Sequence, residues 1–221
     1  MMPRDPCISE CLHGPGNTPR QHLTSLEPDI EWIHMATPAP KRTIRETGTT
    51  GELLNGWTQK RRTMLRFIRV GDVFCFTRND EKFYFGQIIS KALVGHCVQI
   101  FDLCKSAPVI GRSELLQAKA TIPPIILDSY AIFDRKIDAH GDWRVIGQLD
   151  AGDISRFESY FFCYGIERNW KKINAMGSNE QPISDEEAMT LEPLIALTDF
   201  KFWLAFDAFR ASADGIWSHQ F

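Results

Sequence analysis

The chain has 221 residues, 43% hydrophobic and 24% charged, with a formal charge of −3. That length holds one domain with an arm, or two very small domains, and the balance excludes a disordered, collagen-like or coiled-coil chain. A slightly acidic whole is no footprint of a general nucleic-acid binder, and no run approaches the roughly 18 apolar residues that cross a bilayer.

The opening Met1-Met2-Pro3-Arg4-Asp5-Pro6 has no apolar stretch of the signal-peptide kind. Six cysteines, at 7, 11, 75, 97, 104 and 163, do not form the dense pattern of a secreted disulfide scaffold, so a reducing cytoplasm is expected. Charge is uneven: residues 1–127 carry a net +4 and residues 128–221 a net −7. An acidic half steers basic partners but says nothing about fold.

Residues 1–56 hold seven of the twelve prolines, with apolar residues in no regular period. Proline removes a backbone donor and biases its predecessor toward extended conformations. The segment reads as a proline-rich, partly ordered arm, with Ile30-Glu31-Trp32-Ile33 able to pack on the main body. Lys60 to Arg69 then places five basic residues in ten without an acid. A phosphate-tracking patch also needs stacking aromatics, and only Phe67 is present, so this run reads as a solvated lead-in to the core edge.

From Gly71 the pattern turns to strand. Val73-Phe74-Cys75-Phe76 and Lys82 to Ile89 flank the polar tip Asn79-Asp80-Glu81 and predict a hairpin. Gly86 inside the second run suggests a bulge or a close backbone approach. His96 to Asp102 predicts a third strand, antiparallel because the connections are short. Ile125 to Ile132 is expected as a strand, and Trp143-Arg144-Val145-Ile146-Gly147 as another with 143, 145 and 147 on one face. Tyr160 to Tyr164 is a further aromatic strand, ended by Gly165. The tail changes character. Ser184-Asp185-Glu186-Glu187 is a capping box for a helix to about Leu191. Thr198 to Arg210, with Phe202, Phe206 and Phe209 at helical spacing, predicts an amphipathic helix packed on the sheet. The fold class is α+β: an antiparallel curled sheet or small, partly closed β-barrel, with one or two C-terminal helices.

Catalytic patterns are thin. Asp134, Asp138, His140, Asp142, Asp150 and Asp153 have the residue types of a metal site, but a calcium loop begun at Asp138 puts Trp143 where glycine must turn. Cys7, Cys11 and His13 supply three zinc ligands without the second pair a structural site uses. No GxSxG elbow, GxxxxGK[ST] loop or GxGxxG turn occurs. Six Trp, fifteen Phe and four Tyr suit a core first, and a binding surface second.

The order of strand motifs carries more. Arg69-Val70-Gly71-Asp72-Val73-Phe74 is followed by Phe83-Tyr84-Phe85-Gly86-Gln87-Ile88-Ile89, then Val98-Gln99-Ile100-Phe101-Asp102, and later Asp142-Trp143-Arg144-Val145-Ile146-Gly147. This series resembles the Immunity protein 26 family of bacterial polymorphic-toxin systems, from about Thr58 to the helical tail. The resemblance implies one immunity-type domain over 57–221, mostly β, that binds and neutralises a toxin encoded beside it and supplies no catalytic residue. Gly71, Asp72, Phe74, Gly86, Asp102, Trp143 and Gly147 match its motifs and are expected in structural roles.

The expected function is therefore a cytoplasmic immunity protein, not an enzyme, that occludes a cognate toxin or effector domain encoded nearby. It needs no cofactor, metal, membrane or direct nucleic-acid contact, and acts as a monomer or weak dimer. Asp134, Asp138 and Asp142 are the candidate partner-binding residues, complementing a cationic toxin surface. The alternatives are a metal-dependent hydrolase using the acidic loop from Asp134 to Asp153, and a small-barrel nucleic-acid-binding protein using Lys60 to Arg69.

Overall fold

Strands β1 (Leu53–Leu54), β2 (Asp72–Thr77), β3 (Phe83–Ala92), β4 (Gly95–Lys105) and β5 (Ile110–Gly111) lead into helix α1 (Arg112–Gln117) in a computed structural model. Then come β6 (Ile125–Leu127), a π-helical turn (Tyr130–Arg135), β7 (Asp142–Gln148), β8 (Phe161–Ile166), β9 (Asn169–Asn174) and β10 (Gln181–Ile183). The chain closes with α2 (Asp185–Ala188), β11 (Glu192–Pro193), β12 (Ala196–Leu197) and α3 (Asp199–Ala211). The structure describes residues 53–137, 139–150, 152, 154–212 and 217, all within one unit, Glu46–Phe221. Most of the proline-rich segment, 1–52, and with it Cys7, Cys11 and His13, lies outside the described residues. Its last four residues contain β1, which pairs antiparallel with β5.

The central sheet has six strands in the order β12-β6-β4-β3-β2-β7 and is open, so the barrel variant of the expectation does not form. Both faces are covered, which is why Asp72–Thr77 is buried at every position instead of alternating. On one face Phe74, Phe76, Tyr84, Ile88, Val98, Ile100 and Trp143 pack under Phe202, Trp203 and Phe206 of α3. On the other, Val73, Cys75, Phe83 and Phe85 meet Leu54, Trp57, Ile110 and Leu115. A second sheet, β10-β9-β8-β11, packs its inner side around Phe162 and Ala175 against Ile89, Cys97 and Ile126.

The hairpin of β2 and β3, the strand β4 and the helix α3 form where the sequence places them, and Thr198 caps α3 by accepting from the Lys201 N–H. Gly86 does allow a close approach: a methyl there would overlap the Phe74 ring and come within 2.8 Å of the Gln99 carbonyl. Gly71, at φ +86°, makes the turn into β2, and the Asp72 carboxylate accepts from the Arg69 N–H at 2.9 Å. Gly165 does not end β8 but takes φ +127° within it.

Three further expectations change. The strand at Ile125 stops at Leu127, because Asp128 accepts from the Ala131 N–H at 3.0 Å and starts the π-helical turn, which Lys136 closes in the left-handed region at φ +55°. The common face of 143, 145 and 147 is broken by a register shift opposite Val73 and Phe74. Trp143 and Val145 enter the α3-side core, while a methyl on Gly147 would press on Leu54 on the other face. The first tail helix ends at Ala188, not Leu191; Ser184 accepts from the Glu187 N–H, but the Glu187 carboxylate goes to Lys172 at 2.6 Å.

Candidate interaction surface

Of the three acids singled out in the sequence, Asp138 lies outside the described residues, and the other two bind the protein to itself. Asp134 sits in the π-helical turn with only 8% of its surface exposed. Its Oδ1 accepts from Arg62 Nε at 2.8 Å and from Arg62 Nη2, and its Oδ2 from the Leu65 N–H at 3.0 Å. That backbone bond first, and Arg62 second, hold its carboxyl below the usual aspartate range. Asp134 thus clamps the basic lead-in to the body, and a backbone bond from the Thr63 N–H to the Phe133 carbonyl adds to the clamp.

Asp142, at the start of β7, lies between Lys136 (3.1 Å) and Arg144 (Nε at 2.8 Å) and is about one-third exposed. Burial pushes its carboxyl up, but the two cations outweigh that and leave it below its ordinary value. Arg144 also donates to the Trp57 carbonyl at 2.8 Å and lies 4.3 Å over the Trp57 ring. Together these contacts join residues 57–65, the π-helical turn and β7 into one ion-paired face.

The basic run does more than shield the core edge. Met64, Leu65, Phe67 and Val70 stay exposed beside Arg61, Arg62, Arg66 and Arg69. With Lys91, His96, Asp134 and Arg135, five members of this run, Arg62, Met64, Leu65, Arg66 and Ile68, line a cleft of about 600 Å³. Lys91 and His96 face each other across the β3–β4 pairing. His96 is 4% exposed, with Nδ1 at 2.9 Å from the fully buried Ser129 hydroxyl. Burial first and Lys91 second push its imidazole down to about 4, so it is neutral at pH 7. No local pattern marks Lys91, His96 or Arg135; chain topology alone brings them to the run at 60–69.

Residues 69–173 match the Immunity protein 26 family. No curated protein and no solved structure matches the chain. The Immunity protein 26 match supports an immunity protein, and it runs from the turn before β2 into β9. Asp134 and Asp142 fall within it, whereas Arg62, Arg66 and α3 lie outside.

Among the described residues no three His, Cys, Asp or Glu side chains group as a metal site, and no helix is long and apolar enough to cross a membrane. Asp150 accepts from the Gly152 N–H at 3.3 Å, and Asp153 lies outside the described residues. The thiols of Cys75, Cys97 and Cys163 are all pushed up by burial, Cys97 to about 12, which keeps them protonated and poor nucleophiles.

Proposed function

We propose that this protein is a cytoplasmic immunity protein of a bacterial toxin system that binds a cognate toxin or effector domain, encoded nearby, and neutralises it by occlusion. The observation that carries the reading is the Immunity protein 26 match across β2 to β9. The buried, protonated thiols of Cys75 and Cys97 are unsuited to act as nucleophiles. The contact surface is the ion-paired face around β7. Asp142 meets the cations of the toxin there, Asp138 is the further candidate from the sequence, and Asp134 contributes by holding Arg62 and Leu65 in place. Charges so placed steer encounter and fix register more than they add affinity. The protein acts as a monomer or weak dimer, without membrane or direct nucleic-acid contact.

The test pairs the full chain with the C-terminal domain of the toxin encoded beside it. Co-purification as a stable complex, with toxin activity lost at equimolar ratio, is the expected result. Absence of any complex at micromolar concentrations overturns the proposal. Asp142→Lys is expected to slow association about tenfold, an effect that shrinks in high salt.

A further inference from the structure

The cleft between residues 62–68 and the β3–β4 hairpin has a composition that docking to a cationic toxin does not explain. Arg62, Arg66, Lys91 and Arg135 line it against a single carboxylate, Asp134, both of whose oxygens are already in use. On a chain of net charge −3 this is a local concentration of positive charge.

Asp134 neutralises Arg62, but the other three cations have no acidic partner among the described residues. Arg66 makes no hydrogen bond or ion pair among the described residues and lies 4.9 Å over the Phe67 ring. Lys91 likewise has no acidic partner among them. Arg135 gives only its Nε–H, at 2.9 Å, to the Tyr130 hydroxyl, leaving four of its five donors open. The neutral His96 adds no charge of its own at pH 7. Met64, Leu65 and Ile68 supply an apolar side to the same cleft.

We propose that this cleft binds a small organic phosphate, its phosphoryl group held by Arg66, Lys91 and Arg135 and its organic part lying on Met64, Leu65 and Ile68. Three features select that chemistry. A phosphate monoester carries about −1.5 to −2 charges and three acceptor oxygens, which suits several cations better than a single-charged carboxylate does. Arginine forks pair with phosphate oxygens two at a time. A volume of about 600 Å³ lies in the ordinary range for a small-molecule site. The site stands apart from the immunity reading, because it is measured on the protein alone.

Calorimetric titration of the full chain with adenosine 5′-monophosphate, glucose 6-phosphate, inorganic phosphate and adenosine tests the proposal. At least one of the two esters is expected to bind saturably and more tightly than inorganic phosphate, and adenosine not at all. Arg66→Gln combined with Lys91→Gln is expected to weaken that ester at least tenfold without lowering the melting temperature, since both side chains are exposed. Failure of both esters to bind, or equal binding by the double variant, overturns the proposal. So does inorganic phosphate binding as tightly as either ester.

Discussion

The two sheets of this protein are built on different terms. In the six-stranded sheet β2 is buried throughout and β3 over its first eight residues, and aromatic rings lock one face to α3. In the four-stranded sheet β10 has no buried residue and β9 only its last two. Its rim is held by pairs such as Lys171 with Glu180 and Lys172 with Glu187. Two-sided burial excludes water from every backbone bond of a strand. One-sided packing leaves those bonds open to exchange, so the smaller sheet is the part expected to open first.

The largest expected effect lies in the first sheet. Phe76 stacks on Trp143 at 4.3 Å between centroids and meets the edges of Phe202, Trp203 and Phe206. Phe76→Ala is expected to cost about 3–5 kcal/mol in urea unfolding. A loss below about 1 kcal/mol breaks the contrast between the sheets.

A middle-sized effect is pH-dependent and comes from the β3–β4 hairpin. His96 titrates near its ordinary 6.5 when unfolded and about 4 when folded. Between these values the unfolded chain takes up a proton that the native state refuses, so stability falls as pH drops from about 6.5 to 4. The loss reaches up to about 3 kcal/mol. His96→Gln removes this component, and the difference in urea midpoint between the two proteins is expected to narrow from pH 7 to pH 4.5. A constant difference overturns the assignment.

The smallest effect belongs to the rim. Glu187→Gln breaks the pair with Lys172 but leaves the backbone bond to Ser184, and is expected to change stability by no more than about 1 kcal/mol. A larger loss means the small sheet depends on its ion pairs, contrary to its exposure.

What the sequence disclosed follows the same division. The β2–β3 hairpin and α3 were legible because two-sided burial writes unbroken aromatic and β-branched runs, and a buried helix face writes a 3.6-residue period. Strand β9, Asn169–Asn174, was not foreseen, since its polar residues alternate with nothing and its pairing with β8 and β10 makes it a strand. The four residues of β11 and β12 are too short to carry a pattern and exist by parallel pairing with β8 and β6. At the surface, the basic run was visible as composition. That its clamp is Asp134, 72 positions beyond Arg62, was not, because no local spacing records a contact of that separation.

The approach of Gly56 to the outer strand β7 has a further consequence. Its backbone lies so close to the Ile146 carbonyl that a methyl would collide with it, and β7 is the last strand of the central sheet. With the Trp57 carbonyl also taken by Arg144, the molecule's own backbone covers this border at Ile146 and obstructs a visiting strand there. A protein that settles against Ile146 therefore meets side chains there, and recognition at that point is written in charge and shape instead of in a main-chain ladder.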